Sequence, residues 1–262
     1  MIQRISSTES STPETAGGKG DSLITLSSAG FSVPDGVIVT TDLLTEVLKA
    51  NDVYKSTQAT LEQMDMTNFQ DAASTLRETV EGLDVPTELR SQITESVAEL
   101  GTDAVAVRSS AVAEDSKEAS FAGLHESKLN VPTKPDTVMA AVRSCWKSLF
   151  TNRAIVYRLQ KDIPHEGSMA VVIQEMIDSE ISGITLTAHP MDSSNLMIEA
   201  SYGYGDLIVG GEVDPDEYRI NRGDLAVLNR TIGSKSKISQ GADSGTTVSQ
   251  AEESQTSEPV LT

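Results

Sequence analysis

Up to Lys161 the apolar residues recur mostly at intervals of three and four; beyond Pro164 they come in short β-branched runs. After a polar leader, Gly17-Gly18-Lys19-Gly20 opens a helix over 21–29, with Leu23, Leu26 and Ala29 in register and Gly30 as its stop. Val33-Pro34-Asp35-Gly36 is turn chemistry, Val37-Ile38-Val39 a short buried strand, and Asp42 is placed to cap a helix over 43–50. Residues 51–101 are amphipathic and helical, divided into two helices by Gly82 and Pro86, the latter in a first-turn position. Residues 104–107 predict a buried strand that delivers Arg108-Ser109-Ser110 at its end. A loop of small and charged residues follows over 111–126, then a short strand Leu129-Asn130-Val131 closed by Pro132. Residues 136–161 predict the longest helix, with Val138, Val142, Trp146 and Leu149 as one buried stripe.

In the second part, 169–173, 184–186, 196–200 and 217–220 read as strands, and Asn221-Arg222-Gly223-Asp224 turns the last of these into a further strand over 225–228. From 234 to 262 the composition is Ser, Thr, Gln, Gly and Glu with few apolar residues, which predicts a disordered polar tail beyond a folded region of 1–233. Helices first and strands second give an α+β layout, without a regular βαβ repeat.

Composition refines this. Hydrophobic residues are 38% of the 262 but aromatics only 4%, so the core is aliphatic. Acids outnumber bases 39 to 20, a net charge of −19. Nucleic-acid phosphates would repel such a chain, so nucleic acid is not an expected partner. The acids are dispersed and accompanied by abundant Ser and Thr, a halophilic pattern in which salt relieves self-repulsion. No run approaches the roughly 18 apolar residues of a membrane span, so no membrane role is expected. No basic and apolar leader is read at the N-terminus. The single cysteine, Cys145, falls mid-helix in a structural setting and fits a reducing, cytoplasmic location.

Several segments could carry chemistry. Lys19 lies among glycines at a helix start, where backbone N–H groups and a full charge can meet a phosphate; the alternative is a plain loop with a solvated lysine. The spacing is not that of a P-loop. Arg108, at a strand end, either clamps phosphate oxygens through its planar fork or pairs with one of the many acids. Ser120-Phe121-Ala122-Gly123, with Glu126-Ser127 after it, suits a lid over a nucleotide or an ordinary turn. Gln174-Glu175-Met176 ends an apolar strand able to offer backbone groups to adenine. Glu199, before Tyr202-Gly203-Tyr204-Gly205, is a site carboxylate or a strand-end surface residue. His125, His165 and His189 have no metal-ligand spacing.

Taken together, the motifs GGKGDSL, GFSVPDGVIVT, AVRSSAVAEDSKEASFAGLHESKLNV, VVIQEMI, SGITLTAHP and IEASYGYGDLIVGGEVDPDEYRI, in order from Gly17 to Ile220, resemble the N-terminal ATP-grasp domain of the phosphoenolpyruvate synthase and pyruvate phosphate dikinase family, which rifampicin phosphotransferases share. The resemblance implies an ATP-grasp fold of two lobes and a site for ATP with magnesium. It implies that Lys19 binds phosphate and Arg108 clamps it, that Gly123 and Ser127 belong to the loop covering the phosphates, and that Gln174, Glu175 and Ile177 contact adenine. Ser127 stands where the family usually has Thr, and Leu124 where Gln is common. In the family the domain phosphorylates a histidine on a separate domain, which then phosphorylates pyruvate. Family members continue past Leu261-Thr262 to DIEW-like and QxRP-like motifs that supply magnesium ligands and a further arginine. The expectation is therefore a domain incomplete at its C-terminus. It would act as the ATP-binding part of a pyruvate, water dikinase together with a second polypeptide carrying the phosphohistidine and pyruvate-binding domains, or stand as a non-catalytic nucleotide-binding module.

Overall fold

The structure is a computed structural model and describes residues 1–7, 11–112, 115–116, 119–120, 127–161, 163, 168–189 and 191–261. The chain divides into two compact units, Met1–Met176 and Ile177–Thr262. Helix and strand are mixed in the manner of an α+β protein.

The first unit runs β1 (Ile2–Arg4), α1 (Pro13–Ser28), β2 (Gly36–Val39), α2 (Thr41–Ala50), α3 (Tyr54–Glu62), α4 (Phe69–Glu81), α5 (Thr87–Ala98) and β3 (Ala104–Ser110). A two-residue ladder of β4 (Asp115–Ser116) and β5 (Ala119–Ser120) follows, then β6 (Ser127–Pro132), α6 (Pro135–Ser148), α7 (Asn152–Lys161) and β7 (Ala170–Glu175). Its sheet has the order β1-β2-β7-β3-β6, with every neighbour antiparallel. Strand alternation sorts the side chains to two faces. Val37, Val39, Val105, Val107, Val171 and Ile173 pack into the large core formed with α2 to α7, which holds Trp146 and Phe150. Ile38, Ala170 and Val172 point the other way, against Ala16 and Ile24 of α1 and Ile5. Each fully buried aliphatic side chain contributes roughly 1.5–3 kcal/mol, so both faces anchor the sheet. Cys145, the single cysteine of the chain, is buried in α6.

Several features of this unit differ from the sequence expectation. α2 starts at Thr41 with Thr40 at its N-cap, so Asp42 lies in the first turn instead of capping the helix. The first helix begins at Pro13, before the glycines: Thr12 N–H donates to Thr15 Oγ1 at 3.3 Å, and Pro13 suits the first turn. Gly17 then interrupts it with φ 69° and ψ 168°. Residues 51–101 hold three helices, because the Asp65 carboxylate accepts from the backbone N–H groups of Thr67 (2.7 Å) and Asn68 (3.2 Å) and turns the chain between α3 and α4. The single helix expected over 136–161 is two. The Leu149 carbonyl accepts from Arg158 and the Phe150 carbonyl from Arg77 at 2.6 Å, while Thr151 Oγ1 receives Ala154 N–H at 3.3 Å as α7 begins. Finally, β3 continues through Arg108, Ser109 and Ser110, because β7 pairs with all three and β6 pairs with Arg108.

The second unit contains β8 (Ile181–Leu186), β9 (Asn195–Tyr202), α8 (Asp206–Val209), β10 (Asp216–Asn221), β11 (Val227–Thr231), β12 (Lys237–Gly241), β13 (Thr246–Gln250) and α9 (Glu253–Ser257). Its main sheet is β11-β10-β9-β8, all antiparallel, and β12 and β13 form a separate hairpin. The stretch from 234, expected to be a disordered tail, is folded and belongs to this compact unit. Lys235 and Asp216 form an ion pair with both side chains fully buried. Asp216 also accepts from Gly233 N–H (3.0 Å) and Val260 N–H (2.7 Å), and Val260 packs with Ala200 and Tyr218. A few anchors thus hold a segment whose composition is almost wholly polar. Among the described residues, no helix is long and apolar enough to cross a membrane.

Candidate functional site

Lys19, one of the two expected cations, reaches the backbone of β3 beside the other, Arg108. The half-buried Lys19 donates its Nζ to the carbonyl of Ser109 at 2.9 Å, one residue beyond Arg108. Arg108 pairs in register with Val172, which packs in the α1-side cluster, so its side chain leaves the sheet on the face that α1 covers. Its other neighbour is Ser127 of β6, directly opposite and exposed. Opposed residues of an antiparallel pair share a face, which sets the Ser127 hydroxyl on the same side as the guanidinium.

The chain's charge makes Arg108 unusual. Acids outnumber bases about two to one, and other cations find them: Arg4 with Asp35 and Glu99, Arg90 with Asp136, Lys147 with Glu81, Arg219 with Asp192. Among the described residues Arg108 has neither an acid partner nor a hydrogen-bond acceptor. Burial pushes its pKa below the ordinary arginine value, yet a guanidinium remains charged at neutral pH. A desolvated cation without a counter-charge is costly by itself and attractive to an anion.

The glycine turn is built differently from a simple phosphate cradle. Two of its N–H groups are already used: Gly18 donates to Ala111 O at 2.9 Å and Gly20 to Ser110 Oγ at 3.0 Å. Gly17 lies so close to Ser110 that an added Cβ would sit 2.1 Å from the Ser110 carbonyl oxygen. Close packing of α1 on β3, rather than free donors, therefore accounts for these glycines.

The remaining expected site residues are distributed as follows. Gln174 is buried on β7, where its Nε2 donates to Pro34 O at 2.9 Å and ties the strand to the turn that precedes β2. Glu175 ends β7 with an exposed side chain and donates its N–H to Asp35 O at 2.9 Å. Ile177, 49% exposed, is the first residue of the second unit. Gly123 and Leu124 lie outside the described residues. Glu199 is half-buried and directly opposite Glu217, another half-buried carboxylate. Sequence reasoning missed Ser110, which is fully buried where β3 meets α1; the signal available was a pair of small polar residues at the end of an apolar strand. Among the described residues no three His, Cys, Asp or Glu side chains are grouped to hold a metal ion.

Comparison with known proteins adds independent information. The family model described as pyruvate phosphate dikinase, AMP/ATP-binding domain, matches residues 13–262. A probable phosphoenolpyruvate synthase of Methanothermobacter thermautotrophicus is 37% identical over 231 residues, covering 84% of this chain and 34% of that protein. Another from Archaeoglobus fulgidus is 39% identical over 229 residues, 84% of this chain and 30% of that protein. A rifampicin phosphotransferase of Bacillus cereus is 35% identical over 242 residues, 88% of this chain and 27% of that protein. The chain thus spans about a third or less of the length of these relatives. With nearly its whole length matched, the chain belongs to the pyruvate phosphate dikinase AMP/ATP-binding domain family.

Proposed function

We propose that this chain binds ATP through its phosphates, with Lys19 and Arg108 as the cations that hold them, in a fold of the ATP-grasp type. The observation that carries the proposal is the meeting of Lys19 with the carbonyl beside Arg108, on a face where Arg108 has no described acid to neutralise it. A triphosphate supplies that missing charge. Two unit charges about 4 Å apart are worth about 4 kcal/mol at an effective dielectric near 20, so a half-buried site favours phosphate far more than a solvated surface would. The planar guanidinium takes two oxygens at once, while the ammonium follows a moving charge. Ser127, opposite Arg108, offers a hydroxyl to the same oxygens. Gln174 and Glu175 at the end of β7, with Ile177 just beyond, contact the adenine.

The reaction proposed is phosphoryl transfer from ATP toward a histidine on a separate polypeptide or domain and then to pyruvate, as in a pyruvate, water dikinase. Charge spreads over the equatorial oxygens as the phosphoryl group moves, and fixed cations stabilise it. Magnesium would supply further neutralisation, but the described residues offer no grouped ligands for it, so the role assigned here rests on Lys19 and Arg108 alone. The acidic composition suits a saline cytoplasm. Support for an acceptor other than pyruvate comes from the rifampicin phosphotransferases among the relatives.

Calorimetric titration with ATP tests the site. Binding by the parent chain should be measurable, and Lys19→Ala and Arg108→Ala should each weaken it by about tenfold or more. Equal affinity in parent and both variants would overturn the assignment.

A further inference from the structure

In an uninterrupted α-helix the N–H of Gly20 pairs with the carbonyl of Ala16, four residues earlier. Here a hydroxyl from another element engages both groups. Gly20 N–H donates to Ser110 Oγ at 3.0 Å, and Ser110 Oγ donates to Ala16 O at 2.9 Å. Ser110 is fully buried, and it bridges α1 across the residue where the helix is broken, Gly17. A side chain entering the helical ladder is a recognised cause of a kink. The backbone of Gly17 presses on the same serine, with Ser110 Oγ 2.3 Å from the position a Cβ would take. Gly18 N–H donates to the carbonyl of Ala111, the residue just after the strand, at 2.9 Å. Lys19 lies between these fixed points, Gly18 and Gly20, and its own Nζ returns to Ser109.

We infer that Ser110 is a positioning residue for Lys19. Its hydroxyl locks the kinked start of α1 to β3 and so fixes where the ammonium stands relative to Arg108, two residues before it in the strand. This rests on the reading of Lys19 as a phosphate ligand. The serine itself touches no substrate; it acts through the helix. A plain packing role would require only a small residue there, whereas this role requires a group that accepts and donates at once.

The test is a double-mutant cycle on ATP affinity, with amide hydrogen exchange at Gly20 as a second readout. Ser110→Ala should weaken ATP binding by about tenfold in the parent, but by less than about twofold in a Lys19→Ala background, because the lysine it positions is gone. Gly20 should lose exchange protection in Ser110→Ala. Should the alanine variant fail to fold, Ser110→Cys, of similar size with only a weak S–H donor, carries the same comparison. Unchanged affinity in a folded Ser110 variant, or effects of the two substitutions that simply multiply, would overturn the proposal. If Lys19→Ala alone leaves ATP affinity unchanged, the phosphate reading fails, and positioning of Lys19 fails with it. A Gly20 amide as protected in Ser110→Ala as in the parent removes the bridge independently of any nucleotide.

Discussion

Gly17 meets two demands that only glycine satisfies. Its φ of 69° lies in the left-handed region, and a Cβ there would fall 2.1 Å from the Ser110 carbonyl oxygen, a backbone atom with no rotamer to yield. Gly17→Ala should therefore destabilise the fold by about 3 kcal/mol or more, combining backbone strain and overpacking, as read by urea denaturation. A loss within roughly 0.5 kcal/mol, the range of an ordinary surface substitution, would contradict the contact. At this scale the sequence was partly legible. Lys19 and Arg108 stood out because cations beside glycines or at a strand end are chemically distinctive. The two hydrogen bonds of Ser110 were not legible, since they depend on residues 90 and 94 positions away.

Elements were legible where a periodic apolar pattern dominated. The stripe of Val138, Val142 and Trp146 located α6, and Val37-Ile38-Val39 located β2. Boundaries set by side chains capturing backbone groups were hidden, as at Asp65 between α3 and α4 and at Arg77 and Arg158 between α6 and α7. The polar stretch from 234 misled for another reason. Composition reports how much apolar surface a segment can bury, but this one is held by the buried Lys235–Asp216 pair and by backbone donors to the same carboxylate. Lys235→Met keeps the length of the stem and removes the charge, leaving Asp216 buried without its counter-ion. Denaturation should show a loss of about 3–5 kcal/mol, the usual consequence of breaking a buried pair from one side. Stability equal to the parent's would show that the pair does not anchor the hairpin segment.

For the whole molecule, the α+β class followed from the change of period near Pro164, and the family from motifs spread between Gly17 and Ile220. The division of the chain after Met176 was not legible, because no glycine- or proline-rich linker marks it; Gln174, Glu175 and Ile177 form an ordinary-looking run across it. The molecule's formal charge of −19 opposes binding of any polyanion, so ATP affinity requires local cations strong enough to overcome the general field. That conflict makes phosphate number the most direct probe. The measurement is the affinity of the parent chain and of Arg108→Ala for ATP, ADP and AMP at one fixed salt concentration. A site built on Lys19 and Arg108 predicts that parent affinity falls by about tenfold or more from ATP to AMP, and that Arg108→Ala flattens the series. Equal affinity of the parent for all three nucleotides, or a series unchanged by the substitution, would contradict it.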